Sequence, residues 1–148
     1  MVITALLQVS VLDYFKIFGV KPDFLLILVV LASLSFELKW SLGLSILAGI
    51  LKDVFGANMF GINILLFSLW NFIIKKLSKN ITLDNDLVRI LLVFVIAIFN
   101  NIIIRVIFLF LGRSISWGMT LRIISLEPIY TALVAPLVFK VTKLNTYL

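Results

Sequence analysis

Hydrophobic residues run through this chain in long blocks separated by short polar connections. From residue 24 to 36 only Ser33 and Ser35 interrupt an apolar run, and the run follows Lys21-Pro22-Asp23. Pro fits the first position of a helix, and Asp favours its positive end. Further blocks cover about 40–55, 60–74, 87–111 and 121–141. Each reads as a helix placed in a bilayer, whose hydrocarbon core takes about 20 apolar residues. The opening stretch is less regular. Residues 1–12 precede Asp13 and Lys16, and about 12 helical residues rise only about 18 Å. It reads as a short or tilted first helix, with an interfacial segment as the alternative. The pattern predicts an all-α polytopic membrane protein, a bundle of six transmembrane helices with the first one short, or five plus an interfacial segment. Residues 1–148 then form a single integral membrane domain.

The longest polar connection, 75–86, carries Lys75, Lys76 and Lys79, with Arg89 just beyond it. Positive charges close to helix ends mark cytoplasmic loops, and acidic residues count little in that rule. With six helices this connection and both termini are expected inside. Lys39, Lys75, Lys76, Lys79, Arg89, Lys140 and Lys143 then lie inside, against Lys16, Lys21, Lys52, Arg113 and Arg122 outside. The chain begins Met1-Val2-Ile3-Thr4 without the positive region of a cleaved signal peptide, so this segment is expected to be retained.

Composition supports the same class. Hydrophobic residues make up 63% and charged residues 14%, against about 45–50% and about 25% in soluble domains. The net charge of +6 would suit a nucleic-acid binder if it formed a stripe, but the basic residues are scattered between apolar runs, as membrane-surface anchors are. There is no Cys and no His, which excludes disulfides, thiol catalysis and His-based triads. No cofactor or metal is expected.

Two constellations stand out. Ser41, Ser45, Gly49 and Asp53 are four residues apart and fall on one helical stripe, where small side chains let two helices pack closely. Beyond it come Gly56, Gly61 and Asn63, a glycine-bearing turn beside a carboxylate. Asp53, Gly56, Gly61 and Asn63 form the candidate partner-docking site, and Ser41, Ser45 and Gly49 the helix-packing seam. An edge carboxylate there should cost little stability to remove. The second constellation is Asn100, Asn101 and Arg105 inside the 87–111 block. A charge there costs about 2.5–3.5 kcal/mol unless something compensates. With helices centred near Asn100 and Tyr130, Arg105 lies about 7 Å and Glu127 about 4–5 Å outward. An intramembrane Arg105–Glu127 ion pair is the expectation, with Pro128 freeing a carbonyl nearby. Catalysis is not expected: Asp53 has no second aspartate facing it. Ser35 and Lys39, at helical spacing, fit a helix end with a snorkelling Lys better than a Ser-Lys dyad.

The run Lys21-Pro22-Asp23 into the apolar block, Gly43 through Gly49 to Asp53, Gly56, Gly61-Ile62-Asn63, and the late Glu127, Tyr130, Ala132 and Pro136 together resemble the rod shape-determining protein MreD family from about residue 8 to 143. The resemblance implies a non-enzymatic, multi-pass bacterial inner-membrane scaffold of the cell-elongation and peptidoglycan-synthesis complex. Its implied partners are MreC, the actin-like MreB, the glycosyltransferase RodA and a class B penicillin-binding protein. The competing class is the substrate-binding subunit of an energy-coupling-factor vitamin transporter. Such subunits carry Ala-x-x-x-Ala on an early helix, and this chain has none. A holin-like pore would not ordinarily need six different helices.

Overall fold

The computed structural model describes residues 20–55, 59–82, 84–113 and 116–146, with side chains to 141. Within them lie five helices: α1 (Phe24–Ser35), α2 (Leu38–Phe55), α3 (Ile62–Ser78), α4 (Asp86–Phe110) and α5 (Trp117–Thr146). The expected first helix over 1–12 lies outside the described residues.

The apolar blocks located each helix, and the ends moved for physical reasons. Hydropathy reports contact with lipid or core, whereas a helix continues as long as its backbone bonds do. So α3 runs past Ile74 through Lys75 and Lys76 to Ser78, and α5 extends to both sides of its apolar block. Between α1 and α2 the chain makes a sharp break, with Phe36 in extended conformation. Ser35 and Lys39 therefore sit on different helices, and their helical spacing has no structural counterpart.

The shortest helix is the central one. α1 touches all four others, and Leu25, Leu26, Ile27, Val29 and Val30 form the heart of the core. A helix that is apolar on every face is stable only when surrounded. At about 18 Å its 12 residues could not cross a bilayer facing lipid. Enclosed by protein, they need not. Two antiparallel hairpins, α2–α3 and α4–α5, flank α1. α5 meets the interior along Thr131, Ala135 and Phe139, four residues apart and thus on one face.

Outward surfaces are as apolar as the interior. On α4 the exposed residues Leu87, Leu91, Val95, Phe99, Ile102, Val106 and Phe110 form an unbroken stripe about 35 Å long, close to a hydrocarbon core of about 30 Å. α4 and the 117–141 part of α5 are long and apolar enough to cross a membrane, and neither is mostly buried. Soluble monomers rarely expose an apolar patch of this extent. By the same measure α2 carries three charges in 18 residues, and α3 has 17 residues.

The chain direction gathers the α1–α2 break, the end of α3 and the start of α4 at one end of the bundle. Lys75 donates a hydrogen bond to the Phe36 carbonyl there. Asp23, Lys52, Asp53, Gly61 and Glu127 lie toward the other end.

Candidate functional site

Two polar centres occupy that second end. In the first, Asp53 is buried in the last turn of α2. Its carboxylate accepts from the Gly61 amide at 2.9 Å, the Asn63 amide at 3.2 Å, the Asn63 Nδ2 at 2.8 Å and the Ile64 amide at 3.3 Å. Gly61, at φ 104°, is the residue before α3; that left-handed conformation suits glycine. The first amides of a helix have no partner within it, and Gly61 offers no side-chain cap. Asp53 supplies the cap from the preceding helix, and its negative charge suits the positive end of α3.

One turn back from Asp53, α2 and α3 nearly touch. A Cβ on Gly49 would lie 2.5 Å from Ile64 Cα and 2.7 Å from Ile64 N. Ser41 and Ser45 are fully buried on the same stripe, the Ser45 hydroxyl donating to the Ser41 carbonyl at 2.7 Å. The carboxylate singled out for docking thus has its oxygens taken up by the chain itself, since two carboxylate oxygens offer about four acceptor sites. Asp53 is not a cheap edge residue, contrary to the expectation above, because its loss would strand the amides it holds. Gly56 lies outside the described residues.

The second centre was not visible as a unit in the sequence. Lys52 forms an ion pair with Asp23, and its ammonium lies 5.2 Å from the centre of the Phe67 ring, within cation–π range. Asp23 caps α1 by accepting from the Leu26 amide at 3.1 Å, and its own amide donates to Thr131 Oγ1 of α5 at 3.0 Å. Glu127 is in electrostatic reach of Lys52, Asp23 and Arg105. One lysine on α2 is therefore answered by acids from the start of α1 and from α5. The available signal was Lys52 itself, a cation one residue from Asp53 inside an apolar block, which needs a partner wherever it is enclosed.

Arg105 and Glu127 do not form the expected pair. Lys52 pairs with Asp23 and Arg89 with Asp86 within 4.0 Å, whereas Arg105 Nη1 is buried without a hydrogen-bond partner. The cause is register. Asn101 Nδ2 donates to the Ile123 carbonyl at 3.2 Å, so in antiparallel helices residue 105 stands opposite residue 119, about 12 Å along the axis from residue 127. The expected centring failed although the midpoints of α4 and α5 lie close to Asn100 and Tyr130, because the two helices are offset along their axes by about 9 Å from that alignment. The asparagines take separate roles: Asn100 Oδ1 accepts from Trp70 Nε1 of α3 at 3.2 Å.

These centres join helices and present no pair of reactive groups around a substrate-sized space. A family model described as rod shape-determining protein MreD matches residues 1–145. The chain belongs to the MreD family. No match is found among curated proteins or among solved structures. Membership gives the chain a role in rod-shape determination, associated with machinery that includes MreC and MreB, and the family is a shape-determining structural one. In MreD terms, the conspicuous motifs of the sequence are those that cap α1 and α3 and close the α2–α3 contact.

Proposed function

We propose that the chain is a multi-pass, non-enzymatic scaffold of the bacterial inner membrane, docking MreC and, with MreB, RodA and a class B penicillin-binding protein, guiding sidewall peptidoglycan synthesis. The observation that carries this reading is the family match across residues 1–145. The lysine-rich end, with Lys39, Lys75, Lys76 and Arg89, is the cytoplasmic one by the positive-inside rule. Both termini lie on that side, and the Asp53 and Lys52 centres face outward.

Docking uses the turn between Asp53 and Asn63, with Gly61 in it and Gly56 assigned to it from the sequence alone, rather than the Asp53 carboxylate itself. Support comes from the apolar residues around that turn. Phe60 is 69% and Leu65 74% exposed, beside a backbone fixed by Asp53, and a membrane helix or stem of MreC could cover them. Nothing among the described residues supports the transporter reading.

Pull-down of the tagged chain from detergent-solubilised native membranes should bring MreC with it. Phe60→Ser should leave the amount of folded protein unchanged while reducing MreC capture. Normal rod shape after complete depletion, with no second copy present, would overturn the function. The absence of native Cys allows a topology test: a Cys at Ser116 should label from outside, and one at Ser78 only after the inner face is opened.

A further inference from the structure

We propose that the cleft between the end of α4 and the start of α5 binds a phosphate group at the membrane surface, that of an anionic phospholipid headgroup or of a soluble phosphate. The proposal rests on α4 and α5 crossing the bilayer, and on none of the partners named above. The cleft is lined by Arg105, Phe108, Leu109, Arg113, Trp117 and Thr120. Its volume is about 40 Å³, room for roughly three water-sized groups. That suits a group the size of a phosphate.

Arg105 is the deciding residue. It is 9% exposed, and its Nη1 is buried with no hydrogen-bond partner. A guanidinium cannot shed its charge and is built to hold an oxyanion through two parallel bonds. The nearby acids do not form an ion pair with it within 4.0 Å: Asp23 is paired with Lys52, and Glu127 stays within longer electrostatic reach only. Arg105 thus holds a buried nitrogen without a hydrogen-bond partner on the wall of a small cleft.

The second cation is held in place by backbone. Gly112 takes a left-handed conformation at φ 70°. Its amide donates to the Leu109 carbonyl at 3.1 Å, and the Arg113 amide donates to the Phe108 carbonyl at 3.0 Å, the double-bonded helix stop that glycine favours. The motif fixes Arg113 at the rim. It also occupies carbonyls that would otherwise repel an anion at the negative end of α4. Across the cleft stands the positive end of α5, whose first-turn amides lack helical partners. The Thr120 hydroxyl donates to the Ser116 carbonyl at 3.1 Å, so it shapes the cleft rather than donating to the anion. Leu109 and Trp117, 64% and 79% exposed, offer an acyl chain a path down the helices at the level where Trp settles in membranes.

The test uses the purified full chain in a neutral detergent. Melting temperature is measured alone, with phosphatidylglycerol, with phosphatidylcholine, and with millimolar inorganic phosphate or glycerol 3-phosphate; phospholipid retained through detergent exchange is quantified separately. Phosphatidylglycerol should raise the wild-type melting temperature, as any ligand of the folded state does, and more than phosphatidylcholine. Arg105→Gln should abolish that gain and retain at least about tenfold less phosphatidylglycerol, and Arg105→Lys should recover only part, having charge without the fork. An equal gain from the soluble phosphates supports the site and makes its source soluble. If Arg105→Gln shifts the melting temperature equally with and without lipid, leaving the gain intact, the arginine is structural and the proposal fails. It fails too if no phosphate compound stabilises the wild type, or if only a partner protein does. Should Arg105→Gln not fold, Arg113→Gln at the exposed rim decides: an undiminished gain overturns the site.

Discussion

The α1–α3 part of the molecule and the α4–α5 hairpin are built from equally hydrophobic sequence and hold together differently. In the first part, α2 and α3 meet backbone to backbone at Gly49, Asp53 on α2 caps α3, and the Ser33 hydroxyl donates to Asn71 Oδ1 across α1 and α3 at 2.6 Å. In the second, the Asn101 side chain bonds the Ile123 carbonyl, and most of both surfaces faces outward. Lipid rewards apolar residues on both the inside and the outside of a bundle, so hydrophobicity does not decide which helices meet. Close backbone approach and polar bonds do. Where they are dense, substitution should be costly; where they are sparse, the bundle should be tolerant.

The largest effect is expected at Lys52. Lys52→Met leaves Asp23 buried without its cation and removes a charge within reach of Glu127, at a cost of about 3–5 kcal/mol, as for breaking other buried pairs. Thermal melting in detergent should show it, and adding Asp23→Asn should recover part of the loss. No recovery in the double variant would mean that Lys52 acts through its packing on Phe67 instead.

Gly49→Ala comes next. The added methyl would meet backbone atoms of Ile64, which cannot rotate away as a side-chain tip could. Separating the two helices should cost about 2–3 kcal/mol. Gly43, with nothing near a prospective Cβ, is the control. Gly43→Ala should be neutral or stabilising, alanine being the better helix former by about 1 kcal/mol. Equal melting temperatures for the two variants would remove the close α2–α3 contact from the picture.

Asp53→Ala should cost about 2 kcal/mol, the upper range for loss of a cap, because several donors lose their acceptor together. Asp53→Asn should keep part of the stability, since its amide oxygen can still accept. If Asp53→Ala melts like the wild type yet captures less MreC, the carboxylate is a docking group after all.

The sequence disclosed positions along the chain better than meetings between helices. Runs such as 24–36 and 87–111 located α1 and α4 to within a residue or so, because an apolar block and a helix coincide where polar residues interrupt both. Asp23 was legible as a helix start since its cap partner, Leu26, is three residues away. Asp53 was not, because its partners lie eight to eleven residues on, across a turn. The Lys52–Asp23 meeting is 29 residues long in sequence and depends on α1 being central, which its composition permits but its neighbours decide. The Arg105–Glu127 expectation failed on one quantity, the axial offset of two helices. Hydropathy is nearly flat along such helices, so it leaves their offset free, and a single hydrogen bond from Asn101 sets it.

The smallest effects sharpen the comparison most, because they test the outward faces of both parts at once. Leu65 on α3 and Leu133 on α5 are 74% and 68% exposed, and each points to lipid if the bundle spans the bilayer. Truncating a buried leucine costs about 2–5 kcal/mol, from lost contacts and the cavity left behind. On a lipid-facing surface no cavity forms, since acyl chains or detergent fill the space, and alanine favours the helix. Leu65→Ala and Leu133→Ala should therefore each shift stability by less than about 0.5 kcal/mol, the usual range for surface changes. The two should part in function: Leu65 adjoins the proposed docking turn and Leu133 does not, so only Leu65→Ala should reduce MreC capture. A loss of several kcal/mol at Leu133 would show that this face of α5 is covered in the folded protein, by another copy or another part of the chain, and would move the docking surface to the α4–α5 hairpin.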